Sequence, residues 1–307
     1  MDFNLRRQAT IESSVEFKGI GVHSGHDVTM TIKSAPENFG IVFLRTDISN
    51  KDPYIKLSPK SVVDPTLCTR IVNKDGVSVS VIEHLLAALR IVGITNAVVE
   101  LNFEEVPIMD GSASIFVSEF KKSGIIQQDA FVPAIVIKKP VTAKSKNGKI
   151  SITPHDSCVI NVKISYDRIN PVLGENNTLS FNLDDNLSDI ANSRTFGWVE
   201  DCEKVKAMGL AQGSSLQNTV GISSDNSIVN PDGLRNPKEL VMHKALDLIG
   251  DISVIGYDII GKIEGFNTSH LLNNIIMRNL LNEIDQHDVI FNEPLNDFQM
   301  NFRYCSG

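Results

Sequence analysis

The segment VIEHLLAALR, residues 81–90, constrains the fold most, because its apolar residues point in every direction around a helix. Such a helix must be covered by other elements on nearly every side. Glu83 and His84 lie next to each other within it. A buried carboxylate is costly unless it is paired, hydrogen-bonded or close to a metal ion. The segment therefore indicates either a satisfied Glu-His pair in the core or a functional site.

A second helical segment, MHKALDLIGD at residues 242–251, carries polar residues at every fourth position. His243, Asp247 and Asp251 form one stripe, because helix positions four apart differ by only about 40° in direction. Taken alone, this stripe is more typical of a solvated face opposite an apolar arc. The buried Glu-His pair elsewhere in the chain makes a shared site the stronger hypothesis.

The residue types fit a catalytic zinc site, which needs three protein ligands and an open position for water. His243 and Asp247, one turn apart, can supply two ligands, and His84 can supply the third. Fe²⁺ would also accept this set. Glu83, adjacent but not a ligand, could then act as the general base toward water. The spacing of His243 and Asp247 alone is a weak signal, since chance matches are frequent.

Amide hydrolysis also needs a group that protonates the departing amine. His270, at the start of the last predicted helix, is the best remaining candidate, and Asp251 could keep it cationic because a nearby carboxylate raises a histidine pKa. The alternative is a solvated ring at a helix N-terminus. His23, in GIGVHSG, is expected in a turn or lining a site. The remaining histidines are expected at the surface: His26, His155 and His287.

Composition limits the classes of function. The formal net charge of the 307 residues is -8, which disfavours a nucleic-acid partner and requires local cations for any anionic ligand. The N-terminal MDFNLRRQAT lacks the apolar core of a secretory signal, and no apolar run has the length of a membrane span. The four cysteines are scattered, without a C-x-x-C pair, which fits a reducing compartment. We therefore expect a cytoplasmic protein without stable membrane insertion.

The order of predicted elements indicates an α+β fold. Strand-like text precedes helices at about 81–93 and 112–122, and the pattern restarts after a predicted linker at about 123–134. In the second half, strand-like text precedes helical text near 184–194, 198–208, 237–250 and 268–282. We expect two domains, 1–126 with Glu83 and His84, and 131–307 with His243, Asp247 and His270.

Several motifs together resemble the UDP-3-O-acyl-N-acetylglucosamine deacetylase family of bacterial lipid A biosynthesis. They run in the same order over nearly the whole chain. The motifs are GIGVHSG at 19–25, LCT at 67–69, VIEHLLAAL at 81–89, VPIMDGSA at 106–113, SRTFG at 193–197, NPDGLR at 230–235, HKALDLIGD at 243–251 and SHLLNN at 269–274.

This resemblance implies a zinc hydrolase that removes acetate from the 2-amino group of a UDP-linked, 3-O-acylated sugar. It implies two similar domains, each a β-sheet layered with α-helices, with the active site between them. By motif match His84, His243 and Asp247 would bind zinc, and Glu83 would be the general base. His270 would be the general acid assisted by Asp251, and Thr195, in SRTFG, would hydrogen-bond the oxyanion.

The resemblance also assigns substrate contacts. Lys244 would meet the nucleotide part, Phe196 would pack near the substrate, and Tyr166, in YDRINP, would stack on the uracil. An insert at about 198–221 would form the passage for the acyl chain. The chain departs from the family at Ser269, where glycine is usual. The partner is thus a UDP-linked acylated amino sugar, and we expect a monomer.

Two rival functions remain open from sequence. One is a zinc amidase acting on another N-acyl sugar, since the acyl and nucleotide contacts are the weakest part of the match. The other is a non-catalytic sugar-nucleotide-binding protein that keeps the fold. If catalysis had been lost, the polar site residues should be the first to be substituted. All six proposed chemical positions carry suitable side chains, which disfavours the non-catalytic protein.

Overall fold

The computed structural model describes residues 5–291. Residues 1–4 and 292–307, which include Cys305 and the outer ends of the two predicted domains, lie outside the described residues. Strands and helices are mixed along the chain, as the predicted α+β class requires. No helix within residues 5–291 combines the length and apolar character needed to cross a membrane.

The elements up to residue 131 begin and end at the following residues. In chain order they are β1 (Arg7–Ile11), β2 (Val15–Ile20), β3 (Asp27–Ser34), β4 (Ile41–Arg45), β5 (Tyr54–Lys56), β6 (Ile71–Val72), β7 (Ser78–Val79), α1 (Glu83–Val92), β8 (Ala97–Leu101), α2 (Ser114–Ser123) and β9 (Ile125–Phe131).

The elements after residue 131 follow in the same way. They are β10 (Ala134–Val136), β11 (Val141–Lys144), β12 (Lys149–Thr153), β13 (Cys158–Lys163), α3 (Asn170–Leu173), β14 (Thr178–Asn182), α4 (Ser188–Ala191), β15 (Phe196–Trp198), α5 (Val199–Ala207), β16 (Val220–Ile222), α6 (Glu239–Ser253), β17 (Asp258–Phe266), α7 (His270–Asn282) and β18 (Asp288–Ile290).

The first half contains a five-stranded sheet in the order β2-β3-β8-β4-β5. Its strands are antiparallel except for the parallel pair β4 and β8. Alternation in β3 buries Val28, Met30 and Ile32 against the helices, as expected for a sheet with one covered face. This sheet supports α1, which carries Glu83 and His84.

The second half contains a seven-stranded sheet built around β17. β17 pairs with β10, β12 and β13, and β14 continues from β13. β11 and β18 complete the sheet. Neither of the two large sheets includes a strand from the other half of the described chain.

Helices α1 and α6 pack directly against each other, one from each half of the chain. Gly250 of α6 makes this approach possible, because a Cβ at that position would lie 2.0 Å from the carbonyl oxygen of Glu83. Every residue of α1 from Glu83 to Leu89 is buried, and Arg90 is the first that is partly exposed. The prediction of a helix buried nearly all round is confirmed.

Three other expectations need correction. The predicted linker contains β9, which pairs antiparallel with β1; the two strands are more than 110 residues apart, so local composition could not reveal the pairing. The helical text at 184–194 gives only the single turn α4. His287 is buried rather than exposed, and its Nδ1 accepts a hydrogen bond from the main-chain N–H of Lys138.

Candidate active site

The polar stripe of α6 is buried, although its sequence alone favoured a solvated face. His243, Asp247 and Asp251 are 2%, 4% and 2% exposed. The helical wheel could not anticipate this, because α6 is covered by α1, α4 and α7, which are distant from it in the sequence or pack on it only in the fold. Burial of two carboxylates and an imidazole is costly without compensating partners, so each must be accounted for.

Three side chains converge at the N-terminal end of α1. Oδ1 of Asp247 lies 3.3 Å from Nε2 of His243 and 3.6 Å from Nε2 of His84. The ligand atoms of these three residues all lie within 4.8 Å of one another. Tetrahedral zinc with ligands at about 2.0–2.2 Å sets neighbouring ligand atoms roughly 3.3–3.5 Å apart. The donor types and their spacing therefore fit a metal ion.

The main chain selects the ring nitrogen that His243 presents. Its Nδ1 lies 3.0 Å from the carbonyl oxygen of Ser193, to which it donates, and Nε2 therefore carries the lone pair that faces Asp247. Burial lowers the pKa of His243 to about 4, despite the nearby Asp247 carboxylate. A neutral imidazole with its lone pair directed into the cluster is the form that binds metal.

An ion pair holds Ser193 in position. The next residue, Arg194, donates from its guanidinium and its main-chain N–H to the buried carboxylate of Glu239, the first residue of α6. Glu239 also accepts from the main-chain N–H of Arg235. The SRTFG motif is therefore attached to the same helix that carries the two predicted ligands.

Glu83 and His84 make separate contacts, so they are not a mutually satisfied core pair. Oε2 of Glu83 accepts a hydrogen bond of 2.9 Å from the main-chain N–H of Thr69, whereas His84 faces Asp247. Burial raises the pKa of Glu83, and the imidazoles of His270 and His84 only partly oppose this effect. A carboxyl group with a raised pKa suits proton transfer near neutral pH.

His270 lies on the other side of Glu83 and is paired with Asp251. Its Nδ1 is 2.9 Å from Oδ2 of Asp251, and its Nε2 is 4.0 Å from Oε1 of Glu83. Burial lowers the pKa of His270, but the carboxylates of Asp251 and Glu83 outweigh burial and raise this pKa to about 9. The imidazole is therefore cationic at neutral pH and can donate a proton from Nε2.

Thr69 connects the two carboxylates and was not recognised from the sequence. Its hydroxyl donates to Oδ1 of Asp251, while its N–H donates to Glu83. Asn273 donates to Oδ2 of Asp251, the oxygen that also contacts His270. The motif LCT contains Thr69, but its contact with Asp251 spans 182 residues of sequence and could not be read from local pattern.

Local backbone features set the starts of both helices that carry proton-transfer groups. Val81 has φ of 58°, a costly conformation for a β-branched residue, and precedes Glu83 by two positions. Ser269, the departure from the usual glycine, is the N-cap of α7, where its hydroxyl accepts from the N–H of Leu272. Serine therefore fits this position and caps the helix that begins at His270.

The predicted substrate contacts lie beside the three-residue cluster. The ring of Phe196 is 6.2 Å from that of His243, and Nζ of Lys244 is 5.8 Å from the ring of Phe196. Nζ of Lys244 also donates to Oδ2 of Asp247 over 2.8 Å. Tyr166 is 39% exposed, and burial raises its pKa while the positive charge of Lys244 opposes the rise.

Thr195 is half-buried two residues beyond Ser193, and its N–H donates to the carbonyl oxygen of Gly111. The carbonyl oxygen of Thr195 also accepts from the N–H of Val220, so its main chain is held by hydrogen bonds on both sides. His23, the residue left open by the sequence, lies in a turn held by Glu105, whose carboxylate accepts from the N–H groups of His23 and Ser24. Burial lowers the pKa of His23; the carboxylate of Glu105 opposes this shift, and the charge of His270 adds to it.

The predicted insert forms a unit beside these residues. α5 follows β15, and β15 pairs in parallel with β16. Exposed apolar side chains are concentrated here, including Val199, Met208 and Leu216. Trp198 is only partly buried and packs near Tyr166, with ring centroids 6.3 Å apart.

Known proteins of one family are similar to this chain over most of its length. A sequence model of the family UDP-3-O-acyl N-acetylglycosamine deacetylase (LpxC) matches residues 8–282. The chain belongs to this family. Among its members, the UDP-3-O-acyl-N-acetylglucosamine deacetylase of Neisseria meningitidis serogroup A is 37% identical over 97% of this chain and 99% of its own length.

Other LpxC family members are similarly related. The deacetylase of the same name from Myxococcus xanthus is 40% identical over 92% of this chain and 89% of its own length. That of Shewanella violacea is 38% identical over 98% of both chains. The matches span all the motifs described above, so the resemblance read from the sequence is confirmed at the level of the family.

Proposed function

We propose that the protein hydrolyses the N-acetyl group of UDP-3-O-acyl-N-acetylglucosamine, giving UDP-3-O-acyl-glucosamine and acetate, the committed step of lipid A biosynthesis. The convergence of two groups carries the proposal: a metal-type set of His84, His243 and Asp247, and a proton-transfer set of Glu83, Asp251 and His270. Full-length similarity to proteins named for this reaction supports the choice of substrate.

Zinc is the proposed metal, with Fe²⁺ as the alternative for the same ligands. When bound, it would polarise the acetamide carbonyl and lower the pKa of the attacking water to about 7. The second group is less suited to hold an ion, because Asp251 is already engaged by Thr69, Asn273 and His270.

Proton transfer follows from the positions of the side chains. Glu83, directed by the N–H of Thr69, takes a proton from water as the water oxygen bonds to the acetamide carbon. The hydroxyl of Thr195 would donate to the oxygen that becomes negative in the transition state. The C–N bond then breaks, His270 gives its Nε2 proton to the amine nitrogen, and acetate leaves. Asp251 keeps His270 oriented and charged.

The surroundings support the assigned substrate contacts. Lys244 is a cation beside the metal-type set of an acidic protein, which supports its proposed role toward a diphosphate. Tyr166 offers a partly exposed ring for the uracil, and Phe196 borders the reacting centre. The exposed apolar residues of the insert at 198–221 suit an acyl chain, which would otherwise remain in water.

We also propose the finer arrangement expected from the sequence: two similar domains, 1–126 and 131–307, with the active site between them in a cytoplasmic monomer. The separation of the two large sheets supports this division. So does the origin of the site residues, since Glu83 and His84 come from one half and His243, Asp247 and His270 from the other.

One experiment tests the function directly. Purified, metal-analysed protein is incubated with UDP-3-O-acyl-N-acetylglucosamine, and mass spectrometry follows the loss of one acetyl group. We expect deacetylation that a chelator abolishes and added Zn²⁺ restores. Intact substrate with about one metal ion bound per chain would show that the substrate is wrong, and absence of bound metal would show that the ligand set is wrong.

A further inference from the structure

A cavity of about 220 Å³ is bordered by residues from the C-terminal parts of α1 and α6. α1 contributes Leu86, Leu89 and Arg90 to its wall, and α6 contributes Ile252 and Ser253. None of the proposed metal ligands or proton-transfer groups lines the cavity. The cavity is therefore separate from the catalytic centre, although the same two helices border both.

The wall of the cavity is mainly apolar, with a few charged groups at one side. Its apolar surface exceeds its polar surface, and residues from both halves of the chain contribute, from Phe39 and Leu57 to Ile255 and Tyr257. Phe39 is 38% exposed, so the cavity reaches the molecular surface. An apolar pocket with a small number of placed polar groups is the usual form of a small-molecule site.

The charged groups of the wall are unbalanced. Arg6 and Arg90 share Asp258, the one carboxylate among the residues of the wall within residues 5–291. The whole chain has a formal charge of -8, so this local excess of positive charge runs against its composition. Such an excess in a partly apolar enclosure favours an anion over a neutral or cationic ligand.

Arg90 is the more weakly paired of the two arginines. Asp258 is already held by two hydrogen bonds from Arg6, of 2.7 and 2.9 Å. The nearest guanidinium nitrogen of Arg90 is 3.4 Å from the same carboxylate, longer than the usual 2.7–2.9 Å or so of a charge-assisted hydrogen bond. The Arg90 side chain is only 15% exposed, and burial lowers its pKa. Within residues 5–291, the guanidinium of Arg90 therefore shares its nearest carboxylate with Arg6.

We propose that this cavity binds a small amphipathic anion, with its carboxylate or phosphate group on Arg90 and a short alkyl chain against Leu86, Leu89 and Ile255. The volume fits this class of ligand, because a protein cavity of roughly 150 Å³ accommodates benzene. The site does not depend on the proposed deacetylase activity, since neither the metal ligands nor the proton-transfer groups line it.

Octanoate is a suitable probe, with 1-octanol as its uncharged counterpart. Calorimetric titration of the full chain at low ionic strength should show saturable binding of octanoate, at least tenfold tighter than that of 1-octanol. Chelation of bound metal should leave octanoate affinity unchanged, because the proposed metal ligands do not line the cavity. This last result separates the cavity from any binding at the active site and from the outcome of the deacetylase assay.

Variants locate the site. Arg90→Gln should weaken octanoate binding at least tenfold, whereas Arg90→Lys, which keeps the charge, should weaken it only a few-fold. Arg7→Gln is the matched control, because Arg7 is an exposed arginine outside the cavity wall, paired with Asp129. Equal affinity of the Arg90→Gln variant and the unaltered protein, equal affinity for octanoate and 1-octanol, or absence of saturable binding would overturn the proposal.

Discussion

Replacement of Gly250 by alanine tests whether the close approach of α1 and α6 creates the active site. The added Cβ would lie 2.0 Å from the carbonyl oxygen of Glu83 and 2.9 Å from its Cα, whereas ordinary contacts begin at 3.4 Å. The two helices must therefore move apart by about 1.4 Å at the residue that precedes His84. The atoms in conflict belong to the main chain, so a change of rotamer cannot relieve the contact.

The expected costs fall on stability and on catalysis. Overpacking of this kind costs about 1–3 kcal/mol, more than the gain of up to about 1 kcal/mol from alanine in a helix. A net loss of about 1 kcal/mol lowers the melting temperature by roughly 2–4 °C in a protein of this size class. A displacement of about 1 Å in a catalytic group reduces the rate by about 10²-fold.

Thermal unfolding, metal analysis and steady-state kinetics of Gly250→Ala measure these effects together. We expect weaker metal retention as well, because His84 moves away from His243 and Asp247. Gly197→Ala is the stability control, since its Cβ meets nothing within 4 Å and its φ is not positive. A Gly250→Ala protein that melts at the original temperature, retains metal and turns over normally would refute the argument.

Four further outcomes are expected. Glu83→Gln should keep its metal but lose about 10²–10⁴ in turnover, the usual contribution of a general base. Activity should fall as pH rises through about 9, because His270 then loses the proton it donates, and Asp251→Asn should move this fall to lower pH. Thr69→Val should lower kcat about tenfold by freeing Asp251, whereas Thr69→Ser should not. Metal removal by a chelator should lower both turnover and the melting temperature, by loss of a ligand that binds only the folded state.

Kinetics with metal analysis, rate profiles against pH and thermal scans provide these measurements. Normal turnover of Glu83→Gln would remove the residue from its role as base. An alkaline limb that stays in place in Asp251→Asn would show that His270 does not produce it. A Thr69→Ser protein as slow as Thr69→Val would point to a packing role for the threonine, and a melting temperature insensitive to chelation would contradict a metal held by the folded site.

The sequence predicted the members of the site better than the contacts that support them. His84, His243 and Asp247 come together as the motifs and the buried helix indicated. The stripe on α6, judged by itself, pointed to solvent, because a helical wheel shows which residues share a face but not what covers it. Their roles as metal ligands stay a prediction that the metal analysis tests.

The supporting contacts were missed for a physical reason. Thr69 and Asp251 meet across 182 residues, and Arg194 and Glu239 across 45, so neither pair leaves a periodic signal. In the sequence, Gly250 is an ordinary glycine within a helical pattern. The structure gives the reason for it, since the main chain of Glu83 leaves no room for a Cβ. The sequence predicts a linker at β9, because its partner strand β1 is distant in the sequence and local composition does not reveal the pairing. Local pattern predicts elements, whereas these contacts depend on how the elements are brought together.

The hydrogen bond that fixes the tautomer of His243 does not depend on the side chain of its acceptor residue, Ser193. Every amino acid at position 193 carries the same main-chain oxygen, so substitution there cannot delete the acceptor of the Nδ1 proton. The vulnerable position is Glu239, whose carboxylate fixes the segment through Arg194. Substitutions that disturb the orientation of this ring are therefore expected at Glu239, at the beginning of α6 and one turn before His243. They are not expected at Ser193, the hydrogen-bond partner of the ring.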